Sequence, residues 1–133
     1  RWSYVTMCYR KFLRGKIHRA TVSEANLAYE GSITIPDDLM EAAGIQPHEA
    51  VCVWNVTSGT RFETYAITGK RESGHICING AAAHLAQVGH IVIIAGFVYL
   101  AEEEILQHTP RIVIVDEQNK IVETRSAERQ LDN

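Results

Sequence analysis

Residues 91–100 read Ile-Val-Ile-Ile-Ala-Gly-Phe-Val-Tyr-Leu, the most apolar run in the chain. The run is well short of the roughly 18–20 residues that cross a bilayer, so it reads as a central strand. Working outward, residues 50–56 read as a second buried strand, Thr57-Ser58-Gly59-Thr60 as a turn, and 61–68 as the returning strand of a hairpin. Residues 17–29 mix β-branched and polar types up to a break at Gly31-Ser32, and 32–35 alternate polar and apolar until Pro36. Residues 75–78 form a short strand closed by Asn79-Gly80, and 112–115 with 121–124 read as a last hairpin around 116–120. Helices are minor. One covers 37–43, with Pro36 ahead of it, acids at its start and Gly44 at its end. A turn or two follows over 81–86, and a glutamate-rich helix over 101–107. About seven short strands with two or three short helices predict a mainly β chain, closed as a small barrel rather than left as an open sheet. Periodicity alone leaves the topology of that barrel open.

A length of 133 residues predicts one domain, 1–133, with enough chain to bury a core without disulfide or metal staples. The apolar fraction of 46% and charged fraction of 22% are ordinary for a globular protein. A net charge of −3 implies no basic face, which argues against nucleic acid or an anionic membrane as the main partner. Cys8, Cys52 and Cys77 are odd in number and far apart, with no zinc-like spacing. No metal is expected, and the thiols fit a reducing cytoplasm. The N-terminus lacks the order of a signal peptide. Met7 reads as a start, which would make residues 1–6 added sequence or an upstream extension. The polar end, 126–133, is expected to fray.

Four motifs carry chemistry. The first is Tyr29-Glu30-Gly31-Ser32. A Gly-Ser bond is ordinarily a loop, yet its chemistry suits self-cleavage. Glycine permits strained backbone and leaves its carbonyl uncrowded. The Ser32 hydroxyl can attack that carbonyl and form an ester. Loss of the Ser32 α-proton then expels the Gly31 carboxylate and leaves dehydroalanine. Hydrolysis releases ammonia and leaves a pyruvoyl ketone, which can form a Schiff base and accept electrons. The second motif, Lys16-Ile17-His18-Arg19, places Lys16 and His18 on one face of a strand. Alone it is a solvated basic edge. The third runs from Trp54-Asn55-Val56-Thr57 to Arg61-Phe62-Glu63-Thr64-Tyr65. Alone it is an aromatic-rich hairpin in which Arg61 and Tyr65 point to one side and Thr64 to the other. The fourth, Asn79-Gly80-Ala81-Ala82-Ala83-His84, is a turn entering a small-residue helix. Asn79 could cap that helix, and its free N–H groups would suit a carboxylate.

Taken together and in order, with Val88-Gly89-His90-Ile91-Val92-Ile93-Ile94 after them, these motifs resemble the bacterial aspartate 1-decarboxylase family over about residues 7–122. The resemblance implies a double-psi β-barrel, a homotetramer with active sites between subunits, and conversion of L-aspartate to β-alanine and CO2 for pantothenate and coenzyme A synthesis. It implies a pyruvoyl group made from Ser32, with neither metal nor pyridoxal phosphate. Cleavage after Gly31 would leave a small chain of 1–31 and a larger one of 32–133. Lys16 and Arg61 match positions that hold the two carboxylates, which suits a dianionic substrate. Tyr65 matches the proton donor to the α-carbon. Thr64 matches a residue needed in cleavage, where its hydroxyl polarises the Gly31 carbonyl. Asn79, Gly80, Ala81 and Ala82 match groups lining the pocket, and His18 and Trp54 match its walls. Two positions depart from some relatives. Ala28 stands where those carry histidine, and Ile33 where others carry cysteine. Some relatives mature with an acetyltransferase-like helper, so a maturation partner is a further expectation.

Competing readings are a hydrolase in which Ser32 remains an N-terminal nucleophile, a non-enzymatic barrel that binds a partner, and a family member stalled as uncleaved proenzyme. The hydrolase folds are larger α/β layers, and the acidic balance with all four motifs present disfavours the binding module.

Overall fold

A computed structural model describes residues 7–126. The expectations for residues 1–6 and 127–133 lie outside the described residues. Nine strands follow in chain order: β1 (Tyr9–Thr21), β2 (Glu24–Asn26), β3 (Ser32–Pro36), β4 (Ala50–Asn55), β5 (Arg61–Gly69), β6 (Cys77–Asn79), β7 (Ile91–Ala101), β8 (Arg111–Val115) and β9 (Ile121–Ser126). Helix α1 (Asp37–Ala43) leaves β3, a 3-10 turn (Gly80–His84) leaves β6, and the single-turn helix α2 (Glu102–Ile105) leaves β7. No helix among the described residues is long and apolar enough to cross a membrane.

The strands are hydrogen-bonded in the order β2-β6-β3-β5-β4-β7-β1-β8-β9. Three pairs are parallel, β1 with β8, β2 with β6 and β3 with β5, and the rest are antiparallel. One core gathers Ile78 of β6, Ile33 of β3, Val53 of β4, Ile94 of β7, Ile17 of β1 and Val113 of β8, all inaccessible to solvent. Strands from both ends of the order therefore face the same interior, and the sheet is barrel-like. The mainly β fold class expected from the strand signals holds.

Apolar run 91–100 is a central strand, with β1 on one side and β4 on the other. Its partner differs from expectation. β1 begins at Tyr9, not near residue 17, and it ends at Thr21, leaving Glu24–Asn26 as a separate short strand. The exposed Tyr9, Arg10 and Lys11 hide this strand from a hydrophobicity reading, but each pairs with β7. The third short strand is Cys77–Asn79 rather than 75–78, and the glutamate-rich helix shrinks to one turn.

Helix α1 matches its expected bounds and buries Leu39, Met40 and Ala43. It lies so close to β1 that a Cβ on Gly15 would sit 2.1 Å from the Ala43 carbonyl oxygen. Gly15→Ala must push one backbone off the other. It is expected to destabilise the fold by about 1–3 kcal/mol, read as a lower urea midpoint.

Candidate active site

Ser32, the first residue of β3, is fully buried, whereas Gly31 before it is exposed. Antiparallel pairing sets Ser32 opposite Asn79 of β6. Asn79 Nδ2 donates to Ser32 Oγ at 2.9 Å and to Thr34 Oγ1 at 3.2 Å. Asn79 Oδ1 accepts from the Cys77 thiol at 3.0 Å. The amide is thus held on both sides and aims an N–H at the serine oxygen, while the Ser32 hydroxyl reaches the Glu30 carbonyl at 3.4 Å. Burial, then the neighbouring Glu24, pushes the Cys77 thiol pKa up, so it stays protonated and can donate. The expected capping role of Asn79 does not occur. Its side chain makes no cap bond to the 3-10 turn, because both ends of the amide are already engaged.

Gly80 explains the glycine in its motif. Its φ is +71°, a conformation costly for any residue with a Cβ. A Cβ there would also meet Gly31 Cα at 2.6 Å and Gly31 N at 2.7 Å. Gly80 therefore packs its backbone against Gly31, the residue before Ser32. Gly31 itself is different. It is not among the glycines with positive φ, and an added Cβ would meet nothing within 4 Å. Gly31 thus has no positive φ, and the space on its Cβ side is open. Ala81 is exposed and Ala82 half-buried against the core.

Parallel pairing of β3 with β5 starts at Ile33 with Ala66, so Tyr65 lies one step along, beside Ser32. Tyr65 is half-buried and tilts against His48, ring centroids 6.3 Å apart. Thr64 shares the inner face with Phe62 and Ala66, opposite to Tyr65, as alternation predicts. No side-chain hydrogen bond joins Thr64 to Gly31 among the described residues. A cavity of about 270 Å³ lies next to this group, lined by Tyr29, Thr34, Ile67, Asn79, Cys77 and Glu24, among others.

The basic residues stand elsewhere. Lys16 and His18 do share a face of β1, and with Ile112 and Arg125 they line a cleft of about 400 Å³. His18 Nδ1 is buried with no hydrogen-bond partner among the described residues. Burial, then the charges of Lys16, Arg19 and Arg125, lowers the His18 pKa, which favours the neutral ring. Arg61 stacks its guanidinium over Trp54 at 4.7 Å, and Trp54 leans on Phe97. β1 and β5 are separated by β7 and β4. The cleft that Lys16 lines includes neither Arg61 nor Ser32. The chain therefore assembles the Gly31, Ser32, Asn79 and Gly80 group by itself, with Lys16 in a different cleft.

Several participants were not read from the sequence. Cys77 and Thr34 complete the Asn79 network, and Arg125 joins the Lys16 cleft. Asn55 explains the Trp-Asn-Val-Thr motif in structural terms. Its Oδ1 accepts from the Thr57 and Ser58 amides, and its Nδ2 donates to the Leu85 carbonyl. Larger clefts, of about 560 Å³ beside Arg71 and Lys120 and about 460 Å³ beside Phe12 and His108, hold none of the motif residues.

The sequence profile of the family described as aspartate decarboxylase matches residues 8–122. A protein named aspartate 1-decarboxylase from Legionella pneumophila strain Lens is 58% identical over 119 residues, covering 90% of each chain. One of the same name from strain Paris is 57% identical over the same span. Another from Neisseria meningitidis serogroup C is 58% identical over 113 residues, covering 85% of this chain and 89% of that relative.

Proposed function

This chain belongs to the aspartate decarboxylase family, and from that premise we propose that it cuts itself between Gly31 and Ser32 and then decarboxylates L-aspartate to β-alanine. One observation carries the reading. Asn79 Nδ2 points at the oxygen of a fully buried Ser32, beside an exposed, uncrowded Gly31. A donor aimed at the hydroxyl oxygen favours that oxygen as its proton leaves.

The Ser32 oxygen attacks the Gly31 carbonyl carbon, and the acyl group moves from nitrogen to oxygen. Thr64, which matches the family's cleavage residue, is assigned the polarising of that carbonyl by that match alone. Removal of the Ser32 α-proton expels the Gly31 carboxylate, and one water replaces ammonia at the new end of chain 32–133. Exposure of Gly31 lets the 1–31 end depart without disturbing the core. Buried Ser32, with Asn79 at its oxygen and the adjacent cavity, fits a carbonyl group formed at this position. A pyruvoyl group at position 32, held by Asn79, would supply the carbonyl electrophile and electron sink that decarboxylation of an amino acid needs. Around it, Tyr65 delivers the proton to the α-carbon, and Lys16 and Arg61 hold the carboxylates. Asn79 and the Gly80, Ala81 and Ala82 backbone line the pocket, with His18 and Trp54 as walls.

Family membership, with a Lys16 cleft that holds neither Arg61 nor Ser32, is the ground for a site completed between copies of the chain, hence a homotetramer. The three thiols, none in a disulfide, suit a reducing cytoplasm, where the product would serve pantothenate synthesis. A helper for maturation is part of the same reading, with Ala28 and Ile33 setting this chain apart from some relatives.

The test is the intact mass of the denatured protein. Two chains are expected, the larger lighter by one ammonia than a fragment beginning with serine. Two chains at the plain serine mass would favour an N-terminal-nucleophile hydrolase instead. One uncut chain after incubation with the helper would leave the non-enzymatic barrel. Tyr65→Phe is expected to cleave normally yet turn over about 10²–10⁴-fold more slowly, the usual worth of a positioned acid. Near-normal turnover would assign the proton to another group.

A further inference from the structure

Beside the Ser32 network lies a cluster that the reaction does not use. Parallel pairing sets Glu24 of β2 directly beside Cys77 of β6, and His75, two residues earlier in an extended run, falls on the same side as Cys77. One ligand atom from each of Glu24, His75 and Cys77 lies within 4.8 Å of the others. His75 Nε2 is already 3.1 Å from Glu24 Oε1. All three line the cavity of about 270 Å³ next to Asn79. We propose that Glu24, His75 and Cys77 bind a borderline-soft divalent cation, Zn2+ or Co2+, and that the bound ion slows self-cleavage by taking Cys77 away from Asn79.

The donor set decides the cation. One thiolate, one imidazole and one carboxylate suit zinc-like ions and not magnesium or calcium, which take oxygen ligands. Tetrahedral coordination at the usual bond lengths brings ligand atoms to roughly 3.5 Å from one another. The cluster needs only small side-chain rotations to reach that, because Glu24 and His75 are exposed and free to turn. The cavity leaves the fourth position to water. Coordination breaks the Cys77 S–H bond, forms a bond from sulfur to the metal and releases the proton to solvent. Affinity therefore rises with pH.

The consequence runs through one hydrogen bond. Cys77 is the donor that anchors Asn79 Oδ1 at 3.0 Å, and the other end of that amide holds the Ser32 oxygen. A metal-bound thiolate cannot donate, so Asn79 loses its anchor. This coupling rests on the self-cleavage reading above, whereas the cation site does not.

Co2+ is titrated into purified, chelator-stripped protein and read by absorption. Tetrahedral d–d bands and a thiolate-to-cobalt charge-transfer band are expected. Cys77→Ser should lose the charge-transfer band. His75→Ala should bind at least roughly tenfold more weakly, since a direct ligand is worth no less than the groups that support it. No charge-transfer band in the wild type, or an unchanged band in Cys77→Ser, overturns the site. Cleavage is then followed on freshly synthesised chain with Zn2+ or with chelator. Several-fold slowing by Zn2+ is expected in the wild type and none in His75→Ala. Normal cleavage under Zn2+, with the cobalt spectrum present, overturns the coupling alone. A chain that fails to cleave in chelator with the maturation helper present overturns the Ser32 reading and the coupling with it, and the cobalt titration still decides the site.

Discussion

Ser32→Ala is expected to give one uncut chain, with the mass of the full sequence and no decarboxylase activity, on a barrel that still folds. The chemical half follows from atom count. Without Oγ no ester forms at Gly31, and without the ester no elimination can free the Ser32 nitrogen. The structural half follows from the hydrogen bonds. Losing Oγ deprives Asn79 Nδ2 of one acceptor, but Thr34 Oγ1 remains at 3.2 Å and the thiol still anchors Oδ1. A neutral hydrogen bond is worth about 0.5–1.5 kcal/mol net, small beside the roughly 5–15 kcal/mol of a typical domain. Thermal melting should therefore show a cooperative transition lowered by a few degrees. Two chains in this variant would mean that the bond breaks without the serine oxygen, and the proposed chemistry would fall.

How much of this was legible beforehand depended on the range of each interaction. Helix 37–43 was readable because its signals are local: Pro36 before it, Asp37 and Asp38 in its first turn, Gly44 after it. The 50–68 hairpin was readable because its turn is contiguous with both strands. The start of β1 was not, since its first residues are exposed and polar, and only pairing with distant β7 makes them a strand. The site divides along the same line. Alternation placed Thr64 opposite Tyr65 and Lys16 with His18, as found. The contact of Ser32 with Asn79 spans 47 residues, and no period links them. Resemblance to a family brought those two positions onto one list, but it did not show that Cys77 and Thr34 hold the amide. Nor could spacing reveal Glu24 beside Cys77, since a parallel strand pair brings them together across 53 residues of sequence. At Gly31 the conformational freedom that glycine offers is not used as a positive φ, and the space on its Cβ side is open.

Asn79→Ala separates the chemistry of the network from its packing. Asn79 is only 4% exposed, and the change strips the donor from Ser32 Oγ, another from Thr34 Oγ1 and the acceptor from the Cys77 thiol. A hydrogen bond to an oxygen that turns anionic as its proton leaves is worth about 1.5–3 kcal/mol, and cleavage is expected to slow by about 10–10²-fold. Stability should fall by about 1–3 kcal/mol, the cost of leaving buried partners unsatisfied. Cys77→Ser is the matched comparison. A serine hydroxyl still donates to Asn79 Oδ1, so the amide keeps its orientation. Cleavage should then slow by less than roughly tenfold, the equivalent of weakening one neutral hydrogen bond. The appearance of the two chains with time on a denaturing gel measures both variants, and melting measures their stability. Asn79→Ala that is destabilised but cleaves at the wild-type rate would make the amide a packing element, and the Ser32 oxygen would need another source of activation. A large loss in Asn79→Ala with a small one in Cys77→Ser would locate the requirement at the N–H that points to Ser32.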